Sequence, residues 1–247
     1  MPSSFLSECK QKVLNRIESL LVNKDQITSS VRYSALADSK CIRAGLVFAA
    51  GKLEGQLDEV GLTDIATSIE LMHSYSLIHD DLPAMDDDGM RRGQLSNHVK
   101  FNEATAILAG DALQALAFET IASSKSITDA HKVEAVRMLA AACGHQGMVL
   151  GQQYDLDAEK NELLDIELIH SLKTAKLIQV ALTMPYLGNE MHKKTQVLLN
   201  NLGGKIGLAF QIMDDVLEVS SDSVTLGKSN LSAVSYTHLR AHETSID

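Results

Sequence analysis

The chain has 247 residues, 45% of them hydrophobic, and a formal net charge of −10. That is ample for one sizeable core, and the acidic balance argues against a nucleic-acid surface, which needs a basic footprint. Three cysteines, Cys9, Cys41 and Cys143, stand far apart without metal-ligand spacing, so no disulfide framework is expected and the setting is a reducing cytoplasm.

The N-terminal stretch "MPSSFLSECKQKVLNRIESLL" mixes charges among its apolar residues, unlike a signal peptide, and no later run is expected to reach transmembrane length. Prolines occur at Pro2, Pro83 and Pro185 alone, while Ala, Leu, Ile and Met recur with helical spacing. Helices are predicted over roughly 4–22, 28–52, 62–80, 103–124, 129–152, 162–185 and 190–219. Asp64 and Asp129 read as N-caps of two of them. The pair Gly203-Gly204 costs about 1 kcal/mol per residue relative to Ala in a helix interior and marks close helix packing. Strand signals are weak throughout. The expected fold class is all-α, a large antiparallel helical bundle. The tail from about Ala233, "AVSYTHLRAHETSID", lacks an apolar stripe and resembles the translated end of a transposon, so 233–247 is expected to be foreign to a single domain over 1–232.

Chemistry concentrates in two acidic clusters. "IHDDLPAMDDDGMRRG", residues 78–93, holds Asp80, Asp81, Asp86, Asp87 and Asp88, with Arg91 and Arg92 behind them. His73 precedes Asp80 by two helical turns, on nearly the same face and about 10 Å away along the axis. Asp86 cannot share that face on a regular helix, so the chain around Pro83 must unwind if Asp80 and Asp86 are to converge. The second cluster, "FQIMDDVLEV", puts Asp214 and Glu218 within about 40° of one another on a helix, with Gln211 about 60° from Asp214. Oxygen-only carboxylate sets suit a hard cation, Mg²⁺ first and Mn²⁺ as a substitute, completed by water and substrate phosphates. Lys40, Arg43, Arg91, Arg92, Lys173 and Lys228 then supply the charge for a diphosphate. Asp87 and Asp88 read as solvated loop carboxylates, His79 as structural, and Gln152 and Asp155 as polar groups of a cavity wall.

The segments "HSYSLIHDDLPAMDDDGMRRG", "FNEATAILAGDALQALAF", "GQQYDLDAE", "LKTAKLI" and "GLAFQIMDDVLEV" followed by "TLGK" resemble, in order, the motifs of the trans-isoprenyl diphosphate synthases, and among them those of the bacterial farnesyl diphosphate synthases. The resemblance implies an isoprenoid-synthase bundle with the acidic motifs facing one another across a central cavity. Asp80, Asp81 and Asp86, with Asp214, Asp215 and Glu218, would hold Mg²⁺ against the diphosphate of an allylic substrate. Asp80, Asp81, Asp86, Arg91, Lys173 and Asp214 would carry catalysis. Arg91, Lys173 and Lys228 would grip the leaving diphosphate, with Thr174 and Gln211 assisting. Lys40, Arg43, His73 and Arg92 would bind isopentenyl diphosphate. Tyr75, with Ser76 beside it, would set the chain length, at fifteen carbons. A cytoplasmic homodimer, bound neither to nucleic acid nor to a membrane, is implied as well.

The chain departs from the pattern in places. The family's Gly-Gly-Lys-Arg-Leu-Arg-Pro reads "DSKCIRA" here, with Cys41 and Ala44 at distinctive positions, and Glu218 replaces an aspartate. The family also continues past Lys228 with C-terminal helices that this chain is expected to lack, so reduced activity is expected of it. A geranylgeranyl diphosphate synthase and a catalytically impaired or regulatory prenyl synthase subunit stay open as alternatives. A phosphohydrolase built on the His79-Asp80 pair would need further histidines on separate helices.

Overall fold

A computed structural model describes residues 2–54, 57–158, 165–187 and 193–220. Helices follow in the order α1 (Pro2–Leu20), α2 (Gln26–Ala35), α3 (Ile42–Glu54), α4 (Glu59–Asp80), α5 (Asn97–Lys100), α6 (Glu103–Ala122), α7 (Asp129–Cys143), α8 (Met148–Ala158), α9 (Ile166–His170), α10 (Lys176–Thr183) and α11 (Lys193–Ser220). A π-helical turn, Ser171–Ala175, joins α9 to α10, and a 3₁₀ turn, Met184–Tyr186, follows α10. The fold is the all-α bundle expected.

The centre of the bundle is α4. From Gly61 to Ile78 it is buried on nearly every side, and its largest packing partner is α6. Ile65, Ile69, Leu71 and Met72 are completely enclosed, each contributing about 1.5–3 kcal/mol of burial. Two enclosed polar groups on this helix are paired within the bundle: Ser68 Oγ donates to the Ala117 carbonyl at 2.6 Å, and Arg16 Nε donates to Asp64 at 2.8 Å. Asp64 is therefore a buried counter-ion and not an N-cap; Asp58 caps α4, accepting from Gly61 N–H at 2.8 Å. Asp129 likewise is the first residue of α7, capped by Thr128.

Contrary to expectation, α6 is long and apolar enough to cross a membrane by length and composition. Its Ala106, Ala109, Gly110, Leu113 and Ala117 are buried in the bundle. Small residues raise its hydropathy while allowing the close approach to α4.

Three predicted helices are interrupted, each time beside the site. The stretch 28–52 breaks between α2 and α3 at Asp38-Ser39-Lys40, residues that favour local side-chain bonds over the helix ladder. Cys41 there is left-handed, with φ 46°, and Ser39 Oγ lies 3.1 Å from its Sγ. The stretch 129–152 breaks at Gly144–Gly147, and 162–185 contains the π-turn. A short hairpin, β1 (Met90–Arg91) with β2 (Gln94–Leu95), was not expected. Its two-residue loop, Arg92 (φ 54°) and Gly93 (φ 74°), has the paired positive φ of a type I′ turn. The glycine pair of α11 does mark close packing: a Cβ on Gly203 would stand 2.9 Å from Gln179 Cα of α10.

Candidate active site

A cavity of about 1130 Å³ opens between α4, α8, the π-turn, α11 and the 38–43 turn. Among the residues singled out from the sequence, Lys40, Arg43, His73, Tyr75, Ser76, Asp80, Asp86, Arg91, Arg92, Lys173, Thr174 and Gln211 all line it. The side chains of Asp214, Asp215 and Glu218, and the whole of Lys228 and the 233–247 tail, lie outside the described residues.

The first acidic cluster is built as the proline implied. Helix α4 ends at Asp80, and the chain unwinds into a loop in which Asp86 N–H donates to the Asp80 carbonyl at 2.9 Å, bringing both residues to the cavity wall. Asp81 does not join them. Arg91 Nε donates to its carboxylate at 2.8 Å, and the same guanidinium reaches Asp88 at 3.1 Å. Asp88 is 1% exposed and thus an enclosed anchor of the hairpin, not the solvated loop residue expected; Asp87 beside it is exposed. The hairpin turns Arg91 back onto the end of α4, where both aspartates exclude water from its charge.

Burial, with the charge of Asp86 added and that of Lys173 working against it, pushes the Asp80 carboxyl up to about 6. Lys173 shows the converse. Burial disfavours its charge, but Asp80, Asp155 and Asp86 outweigh that and hold it at about 12. Its Nζ donates to Asp155 Oδ2 at 2.6 Å. The π-turn aims Lys173 and Thr174 inward, and Thr174 Oγ1 donates to Gln211 Oε1 of α11 at 2.9 Å. Gly151 of α8 permits this: a Cβ there would fall 2.7 Å from Lys173 Cα and nearer still to its backbone nitrogen.

A second, basic group lines the same cavity. Arg43 stands in the first turn of α3, Lys40 precedes that helix, Arg92 extends from the hairpin and His73 from α4. Burial, reinforced by Arg43, Arg92 and Arg91, holds the His73 imidazole well below its usual range, so it is neutral at neutral pH. Cys41 stays a thiol, pushed up to about 11 by burial and then by Glu70. Glu70 itself was missed by sequence reasoning, since one glutamate in an apolar helix carries no motif signal. Below the acidic level, the Tyr75 ring meets His79 edge-on at 5.0 Å. His79 Nε2 lies 3.0 Å from the Ile107 carbonyl, which fixes the ring as structural.

Among the described residues no three acidic, histidine or cysteine side chains form a complete metal cage. Asp80 and Asp86 nevertheless fit a hard divalent cation: both are oxygen donors, and Mg²⁺ typically takes one or two carboxylates with water and substrate phosphate. A cation beside Asp80 would also favour its ionised form.

The chain matches the Polyprenyl synthetase family over residues 24–240. It is 42% identical over 206 residues to the farnesyl diphosphate synthase of Haemophilus influenzae, covering 82% of this chain and 70% of that protein. The structure of a geranyltransferase from Legionella pneumophila superposes with a TM-score of 0.83 at 39% identity, covering 89% of this chain and 79% of the other. A Helicobacter pylori geranyltransferase complexed with magnesium and isoprenyl diphosphate gives 0.78 at 33% identity, covering 93% and 81%.

Proposed function

Because the chain belongs to the polyprenyl synthetase family, we propose that it is a prenyltransferase joining isopentenyl diphosphate to dimethylallyl or geranyl diphosphate to give farnesyl diphosphate. The observation that carries this is one cavity lined by two chemically different groups: the Asp80, Asp86 and Lys173 cluster, and the Lys40, Arg43, His73 and Arg92 group. Its volume, about 1130 Å³, exceeds the roughly 300–1,000 Å³ common for a single small ligand. Two substrates fit that shape.

Asp80 and Asp86, with Asp214, Asp215 and Glu218, are the residues that would hold Mg²⁺, which when bound neutralises the allylic diphosphate and draws electron density from its C–O bond. Lys173, charged at neutral pH, donates to the diphosphate as that bond breaks and negative charge collects on the leaving oxygen. Asp81 acts through Arg91, holding the guanidinium against the end of α4. Thr174 and Gln211 orient the allylic end through their shared hydrogen bond. Lys40, Arg43 and Arg92 bind the second diphosphate, and neutral His73 offers it a hydrogen bond without adding charge. The double bond of isopentenyl diphosphate attacks the allylic cation, forming the new C–C bond. The resulting tertiary cation loses a proton to the departing diphosphate, restoring the alkene. The protein supplies position and charge, with no covalent intermediate.

The Tyr75–His79 ring pair lines the cavity, and its bulk supports the reading that Tyr75 stops the chain at fifteen carbons. The exposed apolar residues Ile107 and Leu108 on α6 support a homodimer. The test is a product assay with Mg²⁺, labelled isopentenyl diphosphate and geranyl diphosphate, run on the wild-type protein and Tyr75→Ala. Farnesol after dephosphorylation, and longer alcohols from the variant, are expected. A longer alcohol from the wild-type protein would overturn the stop, and release of phosphate without condensation would overturn the reaction.

A further inference from the structure

The proposed reaction makes no use of Glu70, yet its carboxylate is 6% exposed and lines the same cavity, one turn of α4 before His73. An enclosed carboxylate is costly unless it is paired and hydrogen-bonded. Here Ala44 N–H, in the first turn of α3, donates to its Oε1 at 3.0 Å, where helix N–H groups lack intrahelical partners and the helix dipole favours an anion. The positive charges acting on Glu70 are those of Arg43 and Arg92. These two cations come from different elements, α3 and the hairpin, and Arg92 is held in a left-handed conformation. Without a nearby negative charge the two cations would repel one another in the same cavity. The Ala44 donor is a feature of this chain: the prolyl residue of the family pattern at that position has no N–H.

We infer that Glu70 is a positioning residue, an anchored counter-charge that keeps Arg43 and Arg92 on the cavity wall at the spacing the diphosphate of isopentenyl diphosphate requires. The inference rests on the proposed function for the identity of that ligand. Glu70 acts through the two arginines. Burial pushes its carboxyl up, while Arg43, the Ala44 N–H and Arg92 each pull it back toward the charged form.

Two variants separate this from a packing role. Glu70→Gln keeps the shape and the acceptor for Ala44 but removes the charge; Glu70→Asp keeps the charge and withdraws it from Ala44. Binding of isopentenyl diphosphate by titration calorimetry reads the effect whether or not turnover occurs. Glu70→Gln should weaken binding by about tenfold or more, as loss of one partner of an enclosed charge pair does, and Glu70→Asp should weaken it less. Thermal melting of Glu70→Gln should fall, because Arg43 and Arg92 lose an enclosed partner, so binding is compared at a temperature well below the midpoints of all three proteins. Where turnover is measurable, the KM for isopentenyl diphosphate should rise while that for geranyl diphosphate stays within about threefold. Unchanged or tighter binding by Glu70→Gln, a larger loss in Glu70→Asp, or no binding by the wild-type protein overturns the inference. Binding that behaves as expected without any condensation would count against the proposed reaction alone.

Discussion

Replacing Gly151 by alanine tests whether the π-turn is held where catalysis needs it. The added Cβ would lie 2.7 Å from Lys173 Cα and closer to its backbone nitrogen, and both are main-chain atoms that cannot rotate away. Restoring ordinary van der Waals contact at about 3.5–4.0 Å requires α8 and the π-turn to separate by about 1 Å. Overpacking of this kind costs about 1–3 kcal/mol, equivalent to a drop of about 2–12 °C in Tm for a chain of this size. The larger effect falls on the chemistry. A misplacement of about 1 Å can cost about 10²-fold in rate, and Lys173 rides on the segment that must move. Steady-state kcat at saturating substrates and a thermal melt measure the two effects separately. Gly89→Ala is the control, since nothing stands within 4 Å of its Cβ position, and it should stay within about 0.5 kcal/mol of the wild-type protein. A Gly151→Ala protein with unchanged kcat and Tm would refute the reasoning.

Asp81→Asn removes one carboxylate from the enclosed Arg91 guanidinium and leaves it with Asp88, and should destabilise the protein by about 3 kcal/mol in urea unfolding; an unshifted midpoint would return Asp81 to a role at the cavity. Asp80 gives a pH-dependent result in the metal-free protein. Its carboxyl is raised to about 6, so the native state keeps a proton that the unfolded chain has lost, and stability falls as pH rises from about 4 to about 6. Above that range Asp80→Asn should be more stable than the wild-type protein by about 2–3 kcal/mol, and Mg²⁺ should narrow the gap by stabilising the wild-type protein only. Equal stability of the two proteins at pH near 7.5 would contradict the burial assigned to Asp80.

The sequence was informative where physics is periodic or local. The apolar spacing of α4, α6 and α11 predicted helices, and the proline between Asp80 and Asp86 announced that both could meet only if the helix ended, which it does at Asp80. What stayed hidden depends on tertiary contact. Nothing local distinguishes Asp81 from Asp80, and only the returning hairpin assigns one to Arg91 and the other to the cavity. The hairpin had a faint signal in "RRGQ", where glycine can supply one positive φ, but arginine in the other position gave no warning. The same holds for Glu70, whose significance comes from an N–H donated by a different helix.

The π-turn at Ser171–Ala175 also sets a constraint of length. One residue more than an α-helical turn needs is looped into a nearly continuous rod, so the faces of α9 and α10 are out of phase with each other. Removing a single residue anywhere between Ile166 and Thr183 would let the rod run straight at little local cost. It would also rotate one half against the other by about 100°, carrying either Lys173 off the cavity or the enclosed Leu177 and Ala181 toward water. This stretch therefore encodes its function in the number of its residues as well as in their kinds, and it should accept many substitutions more readily than one deletion.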